Sequence, residues 1–157
     1  MINDVLPIHH AEILRNNLAF VDWLSPLDHV GLFALLAASC YARQISNGAG
    51  VLIGFTSDSA YQSKNLTWLR AKFANFVYID RVIIGAKSQG RGYGRLLYED
   101  FEAFAHENGY TRLVCEVNTK PDNPGSHLFH QKLGFTPCGD MGIASTNKCV
   151  RYYEKQI

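Results

Sequence analysis

The sequence predicts one α/β domain built around a central sheet, and three observations support this. The chain has 157 residues, enough for one hydrophobic core but few for two. Short β-prone runs alternate with amphipathic stretches of helical period, as in α/β proteins. No internal repeat, low-complexity tract or linker interrupts this order, so residues 1–157 are expected to form one domain.

The composition is typical of a soluble globular protein. Hydrophobic residues make up 47% of the chain, charged residues make up 18%, and the net charge is +1. Proteins whose main partner is nucleic acid or an anionic membrane usually carry a basic excess, so neither is expected as a partner here. The longest apolar stretch, around residues 30–38, is far shorter than a membrane span.

The four cysteines are expected to be free thiols in a reducing compartment. No CxxC pair and no Cys/His spacing typical of a metal site occurs, so no metal is expected. The opening residues Met1-Ile2-Asn3-Asp4 lack the basic region and apolar run of a signal peptide. Together these features predict a cytoplasmic protein.

The first half of the chain predicts two helices, a β-hairpin and an irregular segment. The predicted helices cover residues 10–24 and 26–38, the hairpin strands 39–45 and 50–56, and the irregular segment 57–75, with a short helix at 65–70. Apolar residues recur at helical spacing in the first helix, and Pro26 suits the first turn of the second. The Asn47-Gly48 pair is typical of the tight turn between antiparallel strands.

The second half predicts four strands and two helices. The strands are expected at 76–84, 111–117, 135–139 and 147–154, and the helices from the glycine-rich turn at 89–94 to about residue 108 and over about 124–132. The run 76–84 is aromatic and β-branched apart from Asp80-Arg81, which makes it the clearest strand. The helix after the turn places Leu97 and Phe101 on one apolar face.

The turn that joins strand 76–84 to the next helix reads Gln89-Gly90-Arg91-Gly92-Tyr93-Gly94. Glycines accept positive φ and let the backbone approach a ligand closely. The unpaired N–H groups and the dipole of the helix start favour a phosphate-type anion, to which Arg91 and Arg95 can add charge-assisted bonds. A tight turn without a ligand is the alternative. The spacing matches neither the dinucleotide fingerprint nor the P-loop pattern.

Two motifs in sequence order resemble those of the GCN5-related N-acetyltransferases (GNAT). Gln89-x-x-Gly92-x-Gly94, between a strand and a helix, resembles motif A of that family. Residues 123–135, an asparagine followed by a predicted helix and Leu-Gly-Phe, resemble motif B. The resemblance covers most of the chain, is strongest over 76–135, and is thin before residue 39 and within 57–75.

The resemblance implies the GNAT fold, a mixed central sheet of about six to seven strands flanked by about four helices. Its fourth and fifth strands, here 76–84 and 111–117, would splay apart and open a V-shaped cleft. The implied activity is transfer of an acetyl group from acetyl-CoA to a primary amine of a small-molecule or amino-acid-like acceptor, by direct attack in a ternary complex. The resemblance also admits a homodimer, since family members are often dimers.

The resemblance further implies which residues hold the coenzyme. Strand 76–84 would line the pantetheine arm, with an N–H near Val82 polarising the thioester carbonyl. The turn would hold the pyrophosphate, and two motif B residues would contact the coenzyme arm. The implied residues are Val82, Ile83, Ile84, Gln89, Gly90, Arg91, Gly92, Tyr93, Gly94, Arg95, Asn123 and Ser126.

An ammonium group cannot attack a thioester, so a base or a water chain must first remove a proton. Asp80 is the leading candidate, because several family members carry an acidic residue near this point of the strand. Its alternative is a salt bridge or a solvent-facing position. Glu116 on the adjacent strand is the second candidate, with a solvated carboxylate as its alternative.

His130 stands where many family members carry a tyrosine that protonates the leaving thiolate. An imidazole can also donate a proton, and its pKa lies closer to neutral pH than that of a phenol. The alternative is a packing or hydrogen-bonding role for His130, and Tyr78, Tyr93 and Tyr98 are possible substitutes as acid.

Two other functions stay open at this stage. One is a non-catalytic acyl-CoA-binding module, favoured only by His130, and the other is acetylation of a protein amino terminus or lysine. The acceptor is expected to be selected by residues 10–38 and 57–75. Tyr61, Trp68 and Arg70 suggest an acceptor with an apolar or anionic part. The alternative for Trp68 is a small local core with Leu66 and Leu69.

Overall fold

The computed structural model describes residues 1–143 and 145–157, which form seven strands and five α-helices. The strands are β1 (Ile2–Asp4), β2 (Tyr41–Ile45), β3 (Gly50–Thr56), β4 (Val77–Ile84), β5 (Arg112–Lys120), β6 (Thr136–Ile143) and β7 (Lys148–Gln156). The helices are α1 (His10–Ala19), α2 (His29–Ala38), α3 (Lys64–Lys72), α4 (Tyr93–Glu107) and α5 (Pro124–Lys132). None of the helices formed by these residues has the length and apolar character needed to span a bilayer.

All seven strands belong to one sheet, in the order β1-β2-β3-β4-β5-β7-β6. Neighbouring strands are antiparallel except β4 and β5, which are parallel. The β4–β5 pairing consists of only two residue pairs, Val77 with Leu113 and Tyr78 with Val114. Beyond Tyr78 the two strands diverge, which confirms the mixed, splayed sheet and the hairpin that the sequence predicts.

Strand β4 carries a β-bulge at Asp80. Ile53 of β3 lies opposite Arg81, but the next residue, Gly54, lies opposite Ile79, so Asp80 is the extra residue. A bulge redirects the side chains of its strand and often lies beside a functional site. Here it falls at the point where β4 leaves β5.

The helices cover both faces of the sheet. On one face α4 packs Leu97 and Phe101 against the sheet, and both side chains are fully buried. On the other face α2 and α3 contribute Leu32, Leu66 and Leu69, which are also fully buried. Burial of each such side chain stabilises the fold by about 1.5–3 kcal/mol. The apolar faces of the helices therefore hold them against the sheet.

Several boundaries differ from the predictions, and side-chain caps explain two of them. Helix α2 begins at His29 rather than near Pro26, because the Asp28 carboxylate accepts a hydrogen bond from Gly31 N at 2.7 Å. Helix α3 is longer than predicted because Ser63 Oγ caps it by accepting from Leu66 N at 3.1 Å. The described residues form five helices rather than about four, and the three-residue strand β1 is too short to show a periodicity.

Candidate active site

The splayed strands β4 and β5 enclose a cleft of about 1060 Å³. It is lined by both strands, by the glycine-rich turn and the start of α4, by α5, and by residues 20–26 between α1 and α2. Every predicted site residue lines this cleft except Arg91, which is exposed. The fold therefore brings together residues that lie up to 50 positions apart in the predicted set, from Asp80 to His130.

The turn before α4 leaves several N–H groups without a helical partner. Gly90 and Gly92 have φ of 76° and 79°, a region that residues with a Cβ rarely adopt. Gly92 is the N-cap residue of α4, and no side chain caps this helix. The N–H groups of Tyr93, Gly94 and Arg95 consequently have no intrahelical acceptor, and all three residues line the cleft. This arrangement can hold an anion.

Gly94 serves a different purpose from the other two glycines of the turn. A Cβ on Gly94 would lie 3.0 Å from Cζ of Phe129, so the glycine lets α4 approach α5 closely. The turn is tied back to β4 by Gln89, whose Nε2 donates to the Ile84 carbonyl at 3.3 Å. The motif A residues thus determine the shape of the turn and also line the cleft.

The open edge of β4 offers backbone groups to the cleft. Gly85 N donates to Ala49 O of the β3 side at 2.8 Å. Because the peptide groups of a strand point alternately to its two edges, the backbone groups of Ile83 also face β3, while those of Val82 and Ile84 face the open edge. Of the three β4 residues implied by the resemblance, Val82 and Ile84 therefore present N–H groups to the cleft.

The motif B residues lie at the start of α5. Asn123 Oδ1 accepts a hydrogen bond from Ser126 N at 3.4 Å and so caps the helix. The Ser126 carbonyl in turn accepts from Nδ1 of His130 at 2.7 Å. Both Asn123 and Ser126 line the cleft.

Glu116 is a buried carboxyl group on β5 with one unpartnered oxygen. Its Oε1 accepts hydrogen bonds from Tyr78 Oη at 2.9 Å and from Asn65 Nδ2 at 3.0 Å. Its Oε2 is buried and has no hydrogen-bond partner among the described residues. Burial raises the pKa of Glu116 to about 8, and the nearby Asp80 adds to the rise. A carboxyl group with this pKa can exchange a proton with an amine.

Asp80 is held in an ion pair. Its Oδ2 accepts from Arg81 Nε at 3.1 Å, its Oδ1 accepts from Tyr61 Oη at 3.3 Å, and its side chain is 8% exposed. The guanidinium of Arg81 also donates to Asn17 Oδ1 at 2.8 Å and to Ser25 Oγ at 3.0 Å. Asp80 therefore lies in the cleft with its charge compensated, whereas no cation pairs with Glu116 among the described residues.

Both ring nitrogens of His130 are engaged. Nδ1 lies 2.7 Å from the Ser126 carbonyl, and Nε2 lies 2.7 Å from the Tyr98 hydroxyl. Because a carbonyl oxygen can only accept, Nδ1 carries the proton and Nε2 accepts the Tyr98 hydroxyl. Burial lowers the pKa of His130 to about 4, so the ring is neutral at pH 7. In this arrangement neither nitrogen has a proton free for a leaving thiolate.

The residues suggested for acceptor recognition divide into two groups. Tyr61 lines the cleft. Trp68 instead stacks on Tyr152, with 4.0 Å between ring centroids, and belongs to the core. Arg70 donates three hydrogen bonds to the carbonyl groups of Ser57, Ser59 and Tyr61, and so holds the loop before α3. Neither Trp68 nor Arg70 lines the cleft, and Trp68 packs against the core, which was its alternative.

Sequence reasoning missed the residues that join the cleft to distant segments. Asn65 on α3 reaches Glu116, and Arg81 reaches Asn17 and Ser25. Trp23 lines the cleft and donates from Nε1 to the Asp122 carbonyl at 3.1 Å, although the two residues are 99 positions apart. No local sequence pattern indicates such long-range contacts. The one available signal was the Asp80-Arg81 pair inside an otherwise apolar strand.

The described residues contain no group of three or more His, Cys, Asp or Glu side chains that could hold a metal ion.

Comparison with known protein families gives a match that covers most of the chain. The sequence model of the acetyltransferase (GNAT) family matches residues 14–135. No curated protein sequence gives a significant match. Likeness to solved structures is extensive, although it is remote in sequence.

Three solved structures illustrate this likeness of fold. Ard1 from Thermoplasma volcanium is 14% identical over 100% of this chain and 97% of its own, with a TM-score of 0.76. The ribosomal-protein-S18-alanine N-acetyltransferase from Escherichia coli is 13% identical over 100% and 93%, with a TM-score of 0.71. A Bacillus anthracis protein solved in complex with acetyl coenzyme A is 16% identical over 74% and 61%, with a TM-score of 0.55.

Proposed function

The chain belongs to the acetyltransferase (GNAT) family, and from this premise we propose that it transfers an acetyl group from acetyl-CoA to the primary amine of a small molecule. One observation carries the proposal: the cleft that contains the anion-binding turn also contains Glu116, whose Oε2 is buried without a partner. The turn suits the donor, and the carboxyl group suits the deprotonation of an amine. The similar structures include a ribosomal-protein-S18-alanine N-acetyltransferase and a putative streptothricin acetyltransferase, so similarity of fold does not fix the acceptor.

The residues of the cleft fit an acyl-coenzyme A. The unpaired N–H groups of Tyr93, Gly94 and Arg95 would hold the pyrophosphate, with the Arg95 side chain adding charge. The outward N–H groups of Val82 and Ile84 would bind the pantetheine arm. When bound, the coenzyme supplies the acetyl group as an activated thioester. We assign the Val82 N–H as the donor to the thioester carbonyl oxygen, where negative charge develops.

We assign the general base to Glu116 in preference to Asp80. An alkylammonium group has a pKa of about 10.4, so its proton transfer to an ordinary carboxylate is uphill by about 8 kcal/mol. With the pKa of Glu116 raised to about 8, the cost falls to about 3 kcal/mol. Asp80 already accepts from Arg81 and Tyr61, whereas Glu116 Oε2 accepts no hydrogen bond among the described residues. The proton therefore passes from the ammonium to Glu116 before the attack.

The leaving thiolate needs a proton, and we assign its donor to Tyr98 rather than to His130. The Tyr98 hydroxyl donates to His130 Nε2 at 2.7 Å, and both residues line the cleft. Rotation about the C–O bond of the phenol turns that proton towards a sulfur atom in the cleft, and its transfer leaves a Tyr98 phenolate. The attacking nitrogen loses its second proton as the amide forms, and that proton restores the phenol, whose pKa is raised by burial. In this proposal His130 holds the Tyr98 hydroxyl in place and is not the acid itself.

Turnover measured together with coenzyme binding tests the proposal. The protein is mixed with acetyl-CoA and a panel of primary amines and peptides, free thiol is followed over time, and coenzyme A binding is measured by calorimetry. We expect thiol release that requires a small amine. Tight coenzyme binding without thiol release from any acceptor would identify a binding module. Release with peptides alone would identify a protein acetyltransferase.

A further inference from the structure

We propose that the acceptor is a small arylalkylamine, in which an aromatic ring is joined by a short alkyl arm to a primary amine and no carboxylate stands beside the amine. This inference rests on the function proposed above and names the class of its acceptor. It follows from the charge at the base of the cleft, from the placement of the cationic side chains, and from the aromatic wall opposite them.

The base of the cleft is suited to one cation. Asp80 and Arg81 form an ion pair, so their charges cancel. Ionised Glu116 then leaves a net charge of −1, and its Oε2 is buried without a hydrogen-bond partner among the described residues. An ammonium group supplies both the charge and the donor that this oxygen lacks.

Among the described residues, a carboxylate next to that ammonium would find no cation that is both near and uncompensated. The guanidinium of Arg81 is already bonded to Asp80, Asn17 and Ser25. Lys148 lines the cleft, but it lies four residues along β7 from Tyr152, the residue opposite Glu116, which is about 13 Å along a strand. The backbone of Lys148 is thus well separated from the position that the ammonium would take at Glu116.

The two other cationic side chains on the cleft belong to its donor end. Arg95 lies in the first turn of α4, at the anion-binding turn, and Lys132 is the last residue of α5. The carboxylate of an α-amino acid would instead lie beside Glu116, whose ionised form repels it. Acceptors that carry this group are therefore disfavoured.

An apolar wall faces the acceptor. It is formed by residues 20–26, which we call the acceptor wall, and its Phe20, Trp23 and Leu24 line the cleft. Tyr61 adds a flat surface, since its ring stacks on Phe55 with centroids 3.9 Å apart and the planes inclined by 6°. Aromatic surfaces of this kind bind an aromatic ring through its faces and edges.

The acceptor wall is held at two points. Ser25 Oγ accepts from Arg81 on β4 at 3.0 Å, and the Ser25 carbonyl accepts from Asn17 Nδ2 at 3.1 Å. Trp23 Nε1 reaches the Asp122 carbonyl, on the loop after β5, at 3.1 Å. The wall thus links the β4 side of the cleft to the β5 side. A wall held in this way is already ordered before the ligand binds, so little free energy is spent on ordering it. It can therefore select a small, flat ligand by shape.

A comparison of four acceptors tests the inference. They are 2-phenylethylamine, phenylalanine, which adds the carboxylate, ethylamine, which lacks the ring, and a tripeptide with a free amino terminus. We expect kcat/KM for 2-phenylethylamine to exceed each of the others by at least tenfold. An equal or higher value for any of the other three would overturn the inference while the proposed acetyltransferase function stands.

Failure of the proposed function would give a different result, namely no thiol release from any acceptor. Calorimetry in the presence of coenzyme A then tests the acceptor class alone. Binding of 2-phenylethylamine at least tenfold tighter than phenylalanine would support it, and equal or reversed affinities would overturn it.

Two matched variants test the aromatic wall. Trp23→Leu should lower kcat/KM about tenfold for 2-phenylethylamine and less than twofold for ethylamine. Phe33→Leu changes an aromatic residue of α2 that is 71% exposed and outside the cleft, and it should change neither value. Equal losses with both amines in Trp23→Leu would overturn the ring contact.

Discussion

In the proposed function, the donor half and the acceptor half of the cleft are built from different parts of the polypeptide. The donor half consists largely of backbone N–H groups, at the turn before α4 and on the open edge of β4. The acceptor half consists of side chains from separate segments, including Glu116, Asp80, Tyr61 and the acceptor wall. Backbone donors suit a fixed ligand such as a coenzyme, whereas side chains can differ from one acceptor to another.

The same division explains why Asp80 and Glu116 differ although both are acidic and lie on the diverging strands. Asp80 is paired with Arg81, and through Arg81 it is linked to the acceptor wall. Glu116 has neutral neighbours, Tyr78 and Asn65, and one free oxygen. One carboxyl group is therefore suited to holding the site together and the other to exchanging a proton.

The largest effect is expected from removing the carboxyl group of Glu116. In the native enzyme kcat/KM should rise with pH through about 8, because Glu116 must lose its proton before it can accept one from the amine. Glu116→Gln should lower kcat/KM at pH 9 by about 100-fold to 1,000-fold and abolish this rise. Initial rates of thiol release from pH 6 to 10 measure both effects.

Asp80→Asn is the matched control for that prediction. It removes the charge of the other carboxyl group and leaves Glu116 in place, so the rise with pH should persist at a lower overall rate. Loss of the rise in Asp80→Asn, with the rise retained in Glu116→Gln, would make Asp80 the base. Neither variant should alter the affinity for coenzyme A, since both residues belong to the acceptor half.

The sequence predicted the glycine-rich turn before α4 because the determinants of that turn are local. Positive φ at Gly90 and Gly92, and the close contact of Gly94 with Phe129, each require a glycine, so the turn leaves a readable pattern. The divergence of the fourth and fifth strands followed from the family resemblance, and the structure has it.

The acceptor half could not be predicted in the same way because its determinants are long-range. The ion pair of Asp80, the contact of Asn65 with Glu116 and the link from Trp23 to Asp122 join residues whose proximity only the fold decides. The pKa of Glu116 is raised mainly by burial. The identity of one residue in a predicted strand does not show how deeply its side chain is buried. Trp68 and Arg70 do not line the cleft, which shows that polar or aromatic character alone does not place a side chain there.

A second prediction concerns His130, which lies between the two halves. Burial lowers its pKa to about 4, whereas in the unfolded chain it is about 6.5. Below pH 6.5 the unfolded chain binds a proton that the folded protein does not, so this residue makes the folded protein lose stability as the pH falls towards 4. The free energy of unfolding should decrease between pH 7 and pH 4 by up to about 3 kcal/mol less in His130→Phe than in the native protein.

Denaturant unfolding at pH 4, 5, 6 and 7 measures the free energy of unfolding that this prediction concerns. Tyr98→Phe serves as the control, because it removes the same hydrogen bond and keeps the buried imidazole. It should retain the dependence on pH that His130→Phe loses. The same dependence in native protein and in His130→Phe would contradict a buried, neutral imidazole at this position.

The smallest effect is expected in the donor half, from Gly92→Ala compared with Gly109→Ala. The two glycines have nearly equal φ, 79° and 77°, and a Cβ at either position would meet no atom within 4 Å. Each variant should therefore lose about 1 kcal/mol of stability through the same backbone strain. Only Gly92 lies in the cleft, so only Gly92→Ala should weaken coenzyme A binding, by about tenfold or about 1.4 kcal/mol.

Calorimetric titration with coenzyme A, together with denaturant unfolding of both variants, separates backbone strain from binding. The KM for the amine should stay within twofold of the native value in Gly92→Ala, because the acceptor half uses no group of the turn. Equal losses of coenzyme affinity in the two variants would mean that strain spreads through α4, which begins beside one glycine and ends beside the other. A loss confined to Gly92→Ala, with the amine KM unchanged, would show that the two halves of the cleft bind their ligands independently.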